Sequence, residues 1–301
     1  MRIFITGGTG FIGTQVVEKL KNDGNALLLL SRHFNAPNII SGDLSDIKSW
    51  KAQIERFQPE VAIHMAWESI PNYNSKTSIK NLNYGLNFIT TLAELGCERV
   101  ICTGSCWEYG QQHGKLHEDL PLKPFNAFSA AKNALYLMGK EIAKENNMLF
   151  IWTRLFYVYG PRQKETSLIP YIINCVEKGK KPEIRDPSAR NDFIYVEDVA
   201  QAISLLLKKC RQSSVYNVGS GYPTSVRDII KIIYDIYGLQ EQYEKVISQP
   251  KDTSCDFYAD ISKIQREVGW EPKTSIKEGI QKTIDYYTSN SDAKVAEDHN
   301  C

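Results

Sequence analysis

Short β-rich apolar runs alternate with amphipathic stretches through the first hundred residues, and this predicts an α/β fold with a doubly wound parallel sheet. Two further observations support that fold class. The apolar runs are nearly continuous, as in strands covered by helices on both faces, and a glycine-rich turn follows the first of them directly. The second half is less regular and predicts a smaller, discontinuous α/β lobe.

Strands are expected at "RIFITG", "NALLLLS", "VAIHMA", "RVICTG" and "LFIWTRL", with helices at about 11–23, 46–57, 76–95 and 126–146. After "VYGPRQ" come a helix near 167–179, a loop rich in proline and charge, and then "NDFIYVEDVAQAISLLLKK". "DFIYV" and "SVYNVGS" read as strands returning to the first domain, while 222–248 and 262–288 read as helices of the second lobe. The first domain is therefore expected at 1–160 plus about 191–221, and the lobe at about 161–190 and 222–288. The polar, aperiodic stretch 289–301 is expected to be disordered. There is no internal repeat.

The chain of 301 residues is 42% hydrophobic, enough for a sizeable core, and carries a formal net charge of +1 with the signs interspersed. That balance argues against nucleic acid, whose binders present a basic face to the phosphates, and for a small-molecule partner. The run "NALLLLS" is far short of a membrane span, and the N-terminus lacks the charged-then-apolar order of a secretion signal, so the expected location is cytoplasmic. Seven cysteines without a CxxC pair suit reduced thiols, and Cys102 lies in an expected buried strand. His113 and His117 have helical ligand spacing but sit in a Gly-Gln-Lys loop without a nearby cysteine, which reads as solvated loop and not as a metal site.

"RIFITGGTGFIG" places Gly7, Gly10 and Gly13, with Phe11 and Ile12, between the first strand and the first helix. Glycine is needed there for the tight turn, for backbone approach to a pyrophosphate, and for close helix–strand packing. This context is the one a Rossmann-type dinucleotide site requires.

The GxxGxxG spacing and the "FSAAK" helix resemble the extended, nucleotide-sugar-modifying branch of the short-chain dehydrogenase/reductase superfamily, which holds NAD(P)-dependent epimerases, dehydratases and reductases. "GDLSD", "IHMAW", "TGSCWEYG", "RLFYVYGPRQ", "NDFIYVEDVA", "YNVGSG" and "REVGWEP" extend the likeness over about 1–288. The resemblance implies that the end of the second strand meets the adenosine ribose. That strand ends "LLLLSRHFN", with no carboxylate for a 2′-hydroxyl but with Arg32 for a 2′-phosphate. NADP is favoured over NAD on this ground, and a solvated surface arginine is the plainer alternative. The resemblance further implies that Asp43 and Leu44 hold the adenine edge, that Ala66 lines the cofactor trough and that Asn81 fixes the central sheet. Asp43 also reads as an ordinary turn residue.

In the family a serine or threonine, a tyrosine and a lysine act together: the lysine binds the nicotinamide ribose and lowers the tyrosine pKa for proton exchange with the sugar. Ser105 and Lys132 match the first and last. The tyrosine position is Phe128, whose ring carries no proton to exchange. Four explanations are open: a tyrosine-to-phenylalanine change that traps a ligand, a natural enzyme with another acid, a binding protein without chemistry, or a misplaced register. Cys106 and Tyr109 are candidate substitute acids, and packing is the alternative for both. Tyr136 reads as core.

Dehydratase relatives place an Asp-Glu pair after the serine or threonine, where this chain has Cys106-Trp107; Glu108, one step along a strand, is expected to face the other side. That leaves 4-keto reduction of a nucleotide-diphosphate sugar, favoured through Arg32, or 4-epimerisation with bound NAD, or a catalytically silent NADP-binding regulator. The resemblance offers Arg162, Arg190 and Lys251 for the diphosphate and Trp67, Trp107 and Tyr157 for the sugar, with core packing an equal alternative for the three aromatics. It also implies a homodimer built through 76–95 and 126–146.

Overall fold

A computed structural model of the chain describes residues 1–33, 36–246 and 256–298. In order, its elements are β1 (Arg2–Thr6), α1 (Phe11–Asn22), β2 (Ala26–Ser31), β3 (Ile39–Ser41), α2 (Lys51–Phe57), β4 (Val61–His64) and α3 (Ser75–Glu94). Then follow β5 (Arg99–Ser105), β6 (Gly114–Leu116), α4 (Ala127–Glu145), β7 (Leu149–Leu155), β8 (Tyr157–Tyr159), α5 (Leu168–Glu177), β9 (Arg190–Asn191) and β10 (Phe193–Tyr195). The chain continues through α6 (Val196–Lys209), β11 (Ser214–Val218), β12 (Thr224–Ser225), α7 (Val226–Ile236), α8 (Gln240–Val246), β13 (Phe257–Ala259), α9 (Ser262–Val268) and α10 (Ile276–Asp298).

Seven strands form one sheet in the order β11-β7-β5-β4-β1-β2-β3, and every pairing in it is parallel. The chain builds outward from β1 through β2 and β3, then returns to β4 and builds the other way. A crevice therefore opens at the carboxyl ends of β1 and β4, where such sheets place their ligands. One face of the sheet is covered by Val16 and Leu20 of α1, Val199 and Ile203 of α6, and Ile264 of α9. Trp50, Ile54, Phe88, Leu92 and Leu135 cover the other face from α2, α3 and α4 and the turn before α2. Each such side chain contributes about 1.5–3 kcal/mol by leaving water, which is why both helical layers are held to the sheet.

The second lobe has its own core, with Ile172 and Ile173 of α5, Ile229 and Ile233 of α7, and Ile280 and Ile284 of α10. Beside it, β12, β9, β13 and β6 form a four-stranded sheet.

The segment expected as one helix at 222–248 is β12, α7 and α8, because Gly238 at φ 70° ends α7 in a left-handed turn. The expected helix 262–288 is likewise two helices, α9 and α10, broken at Gly269 (φ 67°) and Pro272. The tail expected to be disordered from Ser289 continues helically in its backbone as far as Asp298, since no glycine or proline interrupts it. "DFIYV" does not return to the main sheet: β10 pairs with β8, and β11 takes the place beside β7. Among the described residues no helix is long and apolar enough to cross a membrane.

Candidate active site

The turn after β1 is built by glycine for steric reasons. Gly7 has φ +74°, and a Cβ there would lie 2.6 Å from the Ala66 nitrogen; one on Gly13 would lie 1.9 Å from the Gly7 carbonyl oxygen. The helix α1 starts at Gly10 with no side-chain cap and no acidic residue in its first turn, so its leading N–H groups are open to an anion. These residues, with Phe11 and Ile12, line one end of a cavity of about 660 Å³. The turn fits the diphosphate of a dinucleotide.

Arg32, Asp43 and Leu44 line the same cavity. The Arg32 side chain is 49% exposed and is not free: Nη1 lies 2.7 Å from Glu68 Oε1 and Nε 3.9 Å from Asp43 Oδ2. Glu68 also holds Lys80 at 2.9 Å. The carboxylate that β2 lacks is thus supplied by the loop after β4. Asp43 is a turn residue as well, accepting from the Ser45 N–H at 2.7 Å.

Ala66, Trp67, Ser105, Cys106, Trp107 and Tyr157 also line the cavity. Met65, Thr9, Tyr73, Gln163 and Lys164 join them without a sequence signal that singled them out. Lys164 donates to the Ile70 carbonyl, tying the loop after β8 to the loop after β4. Asn81, Arg162 and Arg190 do not line it. Asn81 Oδ1 accepts from the Glu68 N–H at 2.7 Å and Nδ2 donates to the Thr77 carbonyl at 2.9 Å, so this amide holds the β4 loop instead of a cofactor. Arg190 donates to the Pro223 carbonyl at 3.2 Å and pairs with Asp256 at 3.7 Å. Lys251 lies outside the described residues.

After Ser105 the chain leaves β5 in a tight 3-10 turn, Cys106–Tyr109, and not as more strand. Ser105 Oγ accepts from the Trp107 N–H at 3.2 Å, and Glu108 Oε1 accepts from the Ser105 N–H at 2.8 Å. The strand argument for Glu108 is thereby replaced. Its carboxylate turns back into the core, accepting from Trp152 Nε1 at 3.0 Å and Arg154 Nε at 3.0 Å. Tyr109 is buried and donates to Asn217 Oδ1 at 2.7 Å, which makes it a core residue. Cys106 is 3% exposed in an apolar cluster with Leu116, Phe156 and Phe257. Burial, then the nearby Asp192 and Glu108 charges, push its thiol pKa up, so it stays a neutral thiol.

Asn126 caps α4 by accepting from the Ser129 N–H at 2.8 Å, and this start aims Phe128 and Lys132 along one helix face into the cavity. Phe128 sits among rings, 5.4 Å from Trp67, 5.1 Å from Tyr73 and 5.9 Å from Trp107 between centroids. Lys132 is 5% exposed; its Nζ donates to the Thr103 carbonyl at 2.7 Å and lies 4.0 Å from the Trp67 ring centre. Burial pulls its pKa from 10.5 down to about 8, against the pull of Glu108. Trp107 Nε1 donates to the Tyr157 hydroxyl at 3.3 Å. One cavity thus joins a diphosphate cradle to a hydroxyl, an ammonium and a wall of rings.

A family model described as the NAD dependent epimerase/dehydratase family matches residues 3–219. A dTDP-4-dehydro-6-deoxyglucose reductase of Escherichia coli is 27% identical, over 94% of this chain and 96% of that protein. Among solved structures, a UDP-glucose 4-epimerase of Thermotoga maritima with UDP-glucose superposes with a TM-score of 0.86 at 24% identity, covering 96% of this chain and 99% of that one. A dTDP-glucose 4,6-dehydratase of Bacillus anthracis in complex with NAD gives 0.85 at 24% identity, over 97% and 98%.

Proposed function

Because this chain belongs to the NAD dependent epimerase/dehydratase family, we propose that it is an oxidoreductase that reduces the 4-keto group of a nucleotide-diphosphate sugar. One observation carries the choice among the family's reactions. The cavity carboxylates, Asp43 and Glu68, are engaged with Arg32, and Glu108 is turned into the core on Arg154. Dehydration needs an acid and a base beside the keto sugar, and among the described residues no cavity carboxylate is free of a cation for either part. A reductase is among the relatives, as are an epimerase and a dehydratase of similar identity.

A bound nicotinamide supplies or takes the hydride. The chain's own groups do the rest: the α1 turn holds the diphosphate, Ser105 orients the sugar oxygen, and Lys132 brings positive charge to the same place. The rings of Trp67, Trp107 and Phe128 exclude water around them. With no phenol at 128, the proton comes from another group.

The reduced cofactor is proposed to be NADPH, with Arg32 turning from Glu68, which Lys80 still holds, to pair the 2′-phosphate. The Arg32–Glu68 pair also favours a second reading, 4-epimerisation with retained NAD, since a neutralised guanidinium adds little to phosphate binding. A panel of nucleotide 4-keto sugars with NADPH and NADH, and of 4-hydroxy nucleotide sugars with NAD, tests both. Net oxidation of the reduced cofactor is expected; inversion at C4 without net oxidation would indicate the epimerase, and neither would indicate a binding protein.

Homodimerisation is proposed through α3 and α4, which expose Ile79, Leu137 and Met138 at 57%, 54% and 52%. Sedimentation of the wild type against Leu137→Glu tests it.

A further inference from the structure

We propose that the Lys132 ammonium is itself the proton donor to the sugar oxygen, with Trp67 as the positioning residue that holds it. The proposal rests on the ketoreductase reading and names the acid that reading lacks.

Three observations lead to it. First, an ammonium has three protons to donate, and among the described residues Lys132 Nζ has one hydrogen-bond acceptor, the Thr103 carbonyl at 2.7 Å. A cation only 5% exposed with two protons left over is costly unless a ligand accepts them. Second, the Trp67 indole touches both positions of the family's tyrosine–lysine pair: its ring centre is 4.0 Å from Nζ and 5.4 Å, edge-on, from the Phe128 ring. The π-face lies against the ammonium, and the same indole packs on the ring that stands where the family pattern has a phenol.

Third, two of the other proton carriers at this end of the cavity, Cys106 and Tyr73, are unsuited. The Cys106 thiol is buried and pushed up, and burial also pushes the Tyr73 phenol up with no cation to offset it. Serine does not ionise near neutrality. Lys132 is pulled down to about 8, where an acid is matched to neutral pH.

The groups facing Lys132 are consistent with that. From β4, His64 is held neutral by burial, with its pKa down at about 3 and its Nδ1 bonded to Thr6 Oγ1 at 2.8 Å. From β5, burial keeps Cys102 a neutral thiol. From the turn after β5, Glu108 is paired with Arg154 at 3.0 Å.

In the step itself, the carbonyl carbon accepts a hydride from the reduced nicotinamide and the carbon–oxygen π pair moves onto oxygen. That oxygen takes a proton from Nζ, and the neutral amine is reprotonated from water.

The test uses the full chain with NADPH and dTDP- or UDP-linked 4-keto-6-deoxyhexoses between about pH 6 and about pH 10. The wild-type rate is expected to be level below pH about 8 and to fall about tenfold per unit above it. Lys132→Arg keeps the charge but not a transferable proton, and is expected to lose about 10²-fold or more in rate while dinucleotide affinity stays within about tenfold. Trp67→Leu removes the ring face that favours the charged form and moves the fall in rate to lower pH. Phe128→Tyr changes the rate by less than about tenfold. Without cofactor, tryptophan fluorescence shows a transition near pH 8 that vanishes in Lys132→Met and in Trp67→Leu.

An active Lys132→Arg, a missing fluorescence transition, or a Phe128→Tyr gain of about 10² or more overturns the proposal. If only Phe128→Tyr turns over keto sugars, the ketoreductase reading stands and the lysine acid falls. If neither form does, both fall.

Discussion

Two buried cations sit on neighbouring elements and are treated in opposite ways. Arg154 on β7 has several partners: Nε donates to Glu108 at 3.0 Å, Nη1 to the Tyr109 hydroxyl and the Glu118 carbonyl at 2.9 Å each, and Cζ lies 4.6 Å from the Tyr109 ring centre. Lys132 on α4 has one carbonyl and one indole face. A charge that only supports the fold is saturated with partners, since each unmatched donor in low dielectric costs stability. A charge left short of partners beside a cavity is the kind of group that ligand sites use.

The sharpest way to break this contrast is to remove Arg154. Arg154→Met leaves the buried Glu108 carboxylate without a counter-charge and is expected to lose about 3–5 kcal/mol in denaturant unfolding. A loss under about 1 kcal/mol would mean that the pair is merely tolerated.

Lys132→Met is expected to do the reverse and stabilise the chain. The folded pKa of about 8 lies below the ordinary 10.5, so between these values the unfolded chain binds more protons. Wild-type stability therefore rises with pH across that window. The Lys132→Met advantage is greatest below pH about 8, on the order of 3 kcal/mol, and fades toward pH 10.5. Thermal melts at stepped pH would sink this assignment if the advantage did not vary with pH.

Arg32 lies between the two extremes, half-exposed and shared by two carboxylates. If it pairs a 2′-phosphate, Arg32→Ala weakens NADPH by about 1.5–3 kcal/mol and leaves NADH unchanged, as titration calorimetry reads directly. Equal, small changes for both cofactors would assign the arginine to Glu68 alone. The smallest effect is expected at Cys106: Cys106→Ala costs about 1 kcal/mol of packing and leaves the rate within about twofold. A larger fall in rate would return the thiol to the list of acids.

Some of this was legible because it is local. The glycine turn, the parallel-sheet pattern and the shared face of Phe128 and Lys132 are all set by residues a few positions apart, through steric limits on the turn and the helical repeat. Glu108 was misjudged in its reason because a 3-10 turn replaces strand after Ser105, and the two conformations send the same side chain in different directions. The short strands β6, β9, β12 and β13 were missed since each is stabilised by partners far away in the chain.

Spacing along the chain is enough to place a parallel sheet, a glycine turn after its first strand and the lack of a phenol at 128. Only the tertiary structure decided which charges meet there. Glu68 reaches Arg32 across 36 residues, Trp67 lies over Lys132, and Arg154 draws Glu108 away from the cavity. Electrostatic partnership depends on distance and burial in space, and neither is written in the spacing of residues along a chain.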